Sequence, residues 1–259
     1  MPRTVWIVSS GRTGTQFLAR YFDANFAGVV ARHEPPPRMR TRIVSNAYAQ
    51  GACSRDRVVS LLRKKRQSID TLASDLYIES NPFLWGAIRV LDEVFESPMV
   101  VHVVRDPREQ VRSSLNHGTS SGLKSIANRW LPHWYPSTPE AAGDWIERAS
   151  GMWTAVNEFL REAGAACSSY RLVRYEDLFD EHHSGLRELC GWIGLEFRGA
   201  GAPVAPTQRI NTGARRVLGG WGEWSDAQCA AVHRITGPLM AAYGYGVEPA
   251  WRSRVEAGA

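Results

Sequence analysis

Five short apolar runs rich in β-branched residues punctuate the chain: Thr4–Ser9, Gly28–His33, Leu76–Glu79, Met99–Val104 and Tyr170–Tyr175. Runs such as Val100-Val101-His102-Val103-Val104 are apolar at successive positions, the pattern of a strand covered on both faces. His102 inside that strand reads as a satisfied core histidine. Helical patterns lie between the runs. Phe17, Leu18, Tyr21 and Phe22 form one stripe on a helix that opens near Gly14. Asp106-Pro107-Arg108-Glu109 supplies an N-cap, a proline at the first helical position and a glutamate at the third, so a helix follows directly on the Met99–Val104 strand. Glu140 to Ala163 and Asp226 to Tyr243 read as further helices. Trp145 and Trp153, on the first of them, read as core residues. Strands alternating with helices predict a three-layer α/β/α fold around a mostly parallel sheet.

With 259 residues, 44% of them hydrophobic, the chain suits one α/β domain spanning residues 1–259, and no linker interrupts it. No apolar run approaches the roughly 18–20 residues of a membrane span. Val5-Trp6-Ile7-Val8 is too short for a secretory core, so a cytoplasmic location is expected. Cys53, Cys167, Cys190 and Cys229 are scattered without CxxC spacing and read as free thiols. The net charge is +5, and only Lys64, Lys65 and Lys124 of the 31 basic residues are lysines. That arginine excess reads as compositional bias or, more sharply, as provision for an anionic ligand. The basic residues form no long stripe, so no nucleic-acid partner is expected. Arg63-Lys64-Lys65-Arg66 reads as the solvated face of a helix. Residues 117–139, with glycine, proline, serine and several aromatics, are the candidate mobile segment covering a substrate.

Candidate chemistry concentrates in two places. In the first, the strand Val5–Val8 runs into Ser9-Ser10-Gly11-Arg12-Thr13-Gly14-Thr15-Gln16-Phe17 and then into a helix. Glycines let the backbone wrap closely, and the helix N-terminus adds positive potential, which together make an anion cradle. The nucleotide-triphosphatase pattern GxxxxGK[ST] is absent. In the second, Arg105 follows a strand and Ser113 stands eight residues later on the helix it feeds. Both are placed for a ligand at the mouth of an open α/β sheet. Asp106 and Pro107 are assigned to capping.

Taken together, these stretches resemble the sulfotransferases that use 3′-phosphoadenosine 5′-phosphosulfate (PAPS), a family with a P-loop-like nucleotide-binding fold. Arg12-Thr13-Gly14-Thr15-Gln16-Phe17 is similar to that family's loop for the 5′-phosphosulfate, to which Ser10 and Gly11 also belong. Arg105 and Ser113 resemble its 3′-phosphate clamp. Val173-Arg174-Tyr175-Glu176-Asp177-Leu178 resembles a strand end whose tyrosine approaches the adenine. Arg215-Arg216, ahead of Gly219-Gly220-Trp221, resembles its basic segment over the 3′-phosphate, with either arginine making the contact. The resemblance implies PAPS as co-substrate and 3′,5′-adenosine bisphosphate (PAP) as product.

Sulfuryl transfer needs an acceptor hydroxyl, or as the less favoured alternative an amine, stripped of its proton, in-line approach to sulfur and stabilisation of charge on the departing phosphate oxygen. Arg12 and the amides of Thr13–Gln16 can supply the last, and no metal is expected. The base should come from the neighbouring strand end, Val29-Val30-Ala31-Arg32-His33-Glu34-Pro35-Pro36. In several branches of the resembled family a glutamate there, often followed by proline, is the general base. Glu34 is assigned that role, with His33 as its rival and pairing of Glu34 with Arg38 as the structural alternative. Trp130, Trp134 and Tyr135, with His117 and His133 flanking them, are candidate contacts to a small-molecule, glycan or lipid-linked acceptor. Competing readings are a small-molecule kinase using ATP and a non-catalytic nucleotide-binding protein.

Overall fold

The computed structural model describes residues 2–117, 133, 136, 138–198, 204–206 and 218–259. Five strands appear at the five apolar runs: β1 (Arg3–Val8), β2 (Val29–His33), β3 (Leu76–Ser80), β4 (Met99–Val104) and β5 (Tyr170–Arg174). They pair in the order β2-β3-β1-β4-β5, and every pairing is parallel. The helices among the described residues are α1 (Thr15–Asn25), α2 (Arg38–Ala49), α3 (Arg55–Asp70), α4 (Pro107–Asn116), α5 (Trp145–Gly164), α6 (Tyr175–Leu178), α7 (Ser184–Ile193), α8 (Asp226–Ala242) and α9 (Pro249–Gly258). A 3-10 stretch runs over Pro82–Glu93. The chain divides into two compact units, residues 1–104 with 159–211 and residues 105–158 with 212–259.

The first unit holds the whole sheet, and its alternating side chains explain why the strands are apolar throughout. Val5 and Ile7 of β1, Leu76 and Ile78 of β3, and Val101 and Val103 of β4 meet Phe17, Leu18, Tyr21 and Phe22 of α1. Leu186, Leu189 and Ile193 of α7 join the same cluster. The intervening residues serve the opposite face. Trp6 is fully buried there between Tyr77 and Phe95, with ring centroids 6.2 and 4.7 Å away. The sheet flanked by helices is the expected three-layer α/β fold.

Polar groups on that second face are paired. His102 is fully buried, and its Nδ1 lies 2.7 Å from the Tyr170 hydroxyl, the satisfied core histidine expected of it. Glu79 accepts bonds from Lys65 Nζ at 2.8 and 3.1 Å, the Tyr77 hydroxyl at 3.1 Å and Asn81 Nδ2 at 2.9 Å. This corrects the reading of Arg63–Arg66 as a solvated face. Arg63 and Lys64 are exposed, but Lys65 turns inward because Glu79 awaits it on β3.

In the second unit, Asp106 caps α4 as expected, its carboxylate accepting from Arg108 N at 2.9 Å. Ser225 and Gln228 close a reciprocal capping box on α8. The helix expected from Glu140 begins instead at Trp145. Pro139–Ala142 is a separate 3-10 turn, and the Asp144 carboxylate accepts from the amides of Ile146 and Glu147. Trp153 is fully buried, whereas Trp145 is only half-buried under the Arg148 guanidinium, 4.1 Å from its ring centroid. The four cysteines are free, and burial pushes the Cys167 and Cys190 thiols up to about 11 and about 12. No helix among the described residues is long and apolar enough to cross a membrane.

Candidate active site

The carboxyl ends of parallel strands share one edge of the sheet, and β1 lies at its centre with β3 and β4 on either side. Chain order reverses around β1, the position where open α/β sheets bind ligands. The loop leaving β1 takes three left-handed residues within four: Gly11 (φ 89°), Arg12 (φ 58°) and Gly14 (φ 74°). Holding a non-glycine residue such as Arg12 there costs about 1–2 kcal/mol. Internal bonds maintain the turn. Buried Ser9 Oγ accepts from Gly11 N at 3.1 Å and from the buried Thr13 hydroxyl at 2.7 Å. Ser10, Arg12 and Gln16 are half-buried, while Thr15 is buried in the first turn of α1. Among the described residues no side chain caps α1, and no acidic residue stands in its first turn. The positive end of the helix therefore faces the loop without a local counter-charge.

At the end of β2, His33 Nδ1 lies 3.0 Å from the Ser80 carbonyl oxygen. The amide of Glu34 also donates to that oxygen, at 3.2 Å. Glu34 is left-handed at φ 45°, and its Oε1 lies 3.3 Å from His33 Nε2. The two side chains retain 20% and 25% of their exposure, so the carboxylate is enclosed yet reachable. Burial lowers the His33 pKa from its ordinary value, while the Glu34 carboxylate and the Ser80 carbonyl oppose that shift. Arg38 contacts Glu34 through the backbone, its Nε donating to the Glu34 carbonyl at 2.6 Å.

The end of β5 brings an aromatic pair to the loop. Tyr175 and Phe179 have centroids 4.9 Å apart, and a Cβ at Gly14 would come within 3.2 Å of Phe179 and 3.4 Å of Tyr175. Glycine at position 14 thus answers both to its backbone angle and to this close approach. Phe17 is 3% exposed and meets Phe179 edge-on at 5.1 Å. It lies in the core and supports Phe179, while Tyr175 stays half-exposed.

The remaining candidates belong to the second unit. Arg105 directly follows β4; its carbonyl accepts from Trp153 Nε1 at 2.9 Å, and its guanidinium lies 3.9 Å from Glu109. Ser113 is half-buried on α4, and His117 is the C-cap of that helix. His133 is half-buried at φ 56°. Trp130, Trp134, Tyr135, Arg215 and Arg216 lie outside the described residues, as does most of the 117–139 segment. Leu218, just beyond the arginine pair, is pinned by Asn116, whose amide donates to its carbonyl at 2.9 Å and accepts from its N–H at 2.8 Å.

A model of the sulfotransferase family matches residues 3–199. The chain belongs to the sulfotransferase family. No curated protein sequence matches it. Several solved sulfotransferases share its fold. A sulfotransferase from Alicyclobacillus acidocaldarius is 13% identical with a TM-score of 0.56, covering 97% of this chain and 99% of that one. The sulfotransferase domain from the curacin biosynthetic pathway is 15% identical with a TM-score of 0.53, covering 82% and 80%. Mouse sulfotransferase SULT7A1, solved with PAP, is 13% identical with a TM-score of 0.53, covering 98% and 88%.

Within this sulfotransferase fold, the sheet edge gathers the loop, Glu34, His33 and Tyr175 from β1, β2 and β5. Two participants went unseen in the sequence. Phe179 was signalled only by its helical spacing from Tyr175. Ser80 carried no signal, because it acts on His33 and Glu34 through a backbone carbonyl that any residue would possess.

Proposed function

We propose that this sulfotransferase moves a sulfuryl group from PAPS to a hydroxyl of a small-molecule, glycan or lipid-linked acceptor. In this reading Arg12 and the amides of Thr13–Gln16 receive the 5′-phosphosulfate, with Ser10 and Gly11 shaping the turn. Tyr175 contacts the adenine with Phe17 behind it, and Arg105, Ser113 and either Arg215 or Arg216 take the 3′-phosphate. Glu34 removes the acceptor proton while the acceptor oxygen attacks sulfur in line. The bridging S–O bond then breaks towards the phosphate, where Arg12 stabilises the developing charge. The acceptor itself would lie against Trp130, Trp134, Tyr135 and His117.

The observation that carries this reading is the pairing, at one sheet edge, of an uncapped helix N-terminus behind a left-handed arginine loop with a partly enclosed strand-end carboxylate. A phosphate-binding loop alone would suit a kinase equally. This loop has no Gly-Lys-Ser/Thr. The test compares thermal stabilisation by PAP with that by ATP and Mg²⁺. A ligand at about 100 times its Kd adds about 2.7 kcal/mol. Stabilisation by PAP alone, with PAP formed from PAPS only when a hydroxyl acceptor is supplied, is the expected outcome; preference for ATP and Mg²⁺ would restore the kinase.

A further inference from the structure

Proton counting at the end of β2 goes beyond naming Glu34 as a base. A carbonyl oxygen can only accept, so the 3.0 Å contact between His33 Nδ1 and the Ser80 carbonyl places a hydrogen on Nδ1. In the neutral ring Nε2 then carries a lone pair, and it lies 3.3 Å from Glu34 Oε1, a second acceptor. Two acceptors at that separation repel while no proton lies between them, so the pair gains by taking one up.

The backbone creates this juxtaposition. Successive side chains of an extended strand point to opposite faces. Glu34 follows the last residue of β2 in a left-handed conformation, φ 45°, and this turns its carboxylate back beside the neighbouring imidazole. The Ser80 carbonyl holds both residues, by the ring of one and the amide of the other. Strain of this kind at a non-glycine residue is retained where the geometry serves a site.

We infer that His33 and Glu34 form one proton-accepting dyad, in which Glu34 faces the acceptor hydroxyl and His33 Nε2 shares the proton that Glu34 removes. The inference rests on the proposed role of Glu34. As the acceptor O–H bond breaks, its oxygen bonds to sulfur, and the bridging S–O pair leaves with the phosphate. The proton comes to lie between Oε1 and Nε2, the dyad passes from a net charge of −1 to 0, and the proton returns to water after product release. A lone carboxylate has an ordinary pKa near 4.3 and is a weak base at neutral pH; an adjoining imidazole, ordinarily near 6.5, strengthens it.

The groups acting on the His33 ring are the Glu34 carboxylate and the Ser80 carbonyl, which favour protonation, and Arg38 of α2 and Arg20 of α1, which oppose it together with burial. Burial, the largest of these effects, thus keeps the His33 ring neutral at neutral pH, with Nε2 open to a proton.

Nitrogen-15 NMR of the histidine ring, on the wild-type protein and E34Q without substrate, tests the dyad independently of turnover. The expected result is a neutral ring protonated at Nδ1, whose pKa falls when Glu34 is replaced. A ring protonated at Nε2, or a titration indifferent to E34Q, overturns the inference whatever the activity. Kinetics supply the second arm. In H33N the amide can replace Nδ1 on the Ser80 carbonyl, and in H33Q it can occupy the place of Nε2, but neither stores a proton. Both should lose about 10²-fold in kcat, the lower end of a general-base contribution, and the acid limb of the kcat profile should move to lower pH. H33N with wild-type kcat and an unmoved limb would reduce His33 to a support for Glu34. Linked titration in a protein that transfers no sulfuryl group would leave the dyad standing and remove the proposed reaction.

Discussion

Arg12 and Glu34 are both non-glycine residues at positive φ, and both stand at strand ends on the same sheet edge. Their proposed roles separate by what each touches. Glu34→Gln is nearly isosteric, so nucleotide affinity should be unchanged while turnover falls about 10²–10⁴-fold. Arg12→Ala should slow turnover and also weaken binding of the phosphosulfate. Calorimetric titration with PAP beside steady-state kinetics checks the contrast, and a normal rate for Glu34→Gln at saturating acceptor would move the base to another group. Arg105→Ala should weaken the 3′-phosphorylated nucleotide about 10–100-fold, a charge-assisted hydrogen bond contributing about 1.5–3 kcal/mol. A nucleotide without that phosphate should bind as before; equal losses would make Arg105 a structural residue.

Among elements, the join of β1 to α1 depends most on a single position. Gly14 is the N-cap of α1, sits at φ 74°, and has the Phe179 and Tyr175 rings 3.2 and 3.4 Å from where a Cβ would stand. Gly14→Ala should cost about 1–2 kcal/mol from the backbone alone and should also displace the aromatic pair. A lowered denaturation midpoint accompanied by weaker nucleotide binding is the expected result; a loss of stability with binding intact would show that the rings serve only the core. Helix limits were legible where capping is local. Asp106 before Pro107 marked α4 in the sequence, and the structure adds the Ser225 capping box at the start of α8. The start of α5 was missed, because Asp144 takes its first amides across a break at Gly143 that the helical pattern from Glu140 ran through.

At the scale of the whole molecule, the second face of the sheet encloses a charge pair. Lys65 and Glu79 retain 5% and 0% of their side-chain exposure. Lys65→Met would leave the Glu79 carboxylate buried with only neutral donors, and removal of one partner of a buried pair costs about 3–5 kcal/mol. Adding Glu79→Leu should recover part of that loss, which chemical denaturation of the single and double variants would measure. In the second unit Arg108 is gripped by Asp106 and Glu248 and flanked by the rings of Trp221 and Trp251, 4.9 and 5.0 Å away. Its hydrogen bonds hold the Glu248 carboxyl below the usual carboxylate range. A lowered carboxyl adds stability above its unfolded value and loses it as pH falls through the folded one. Glu248→Gln should therefore be less stable than the parent at neutral pH and converge with it in acid; a constant difference across pH would assign the effect to packing.

By itself the sequence determined the five strands, the glycine-bearing loop from β1 into its helix, and the presence of His33 and Glu34 at a strand end. All of these rest on local causes: side-chain alternation, helical period, capping, and the glycines of one turn. Contacts between distant segments decided the rest. Lys65 became a core residue because Glu79 lies on β3, and Trp145 stayed half-buried although its helical spacing from Trp153 suggested a shared core. Phe17 joined the core beside Phe179. The proton on His33 is placed by the carbonyl of Ser80, 47 residues away, so the chemistry of that imidazole existed only once β2 and β3 had paired.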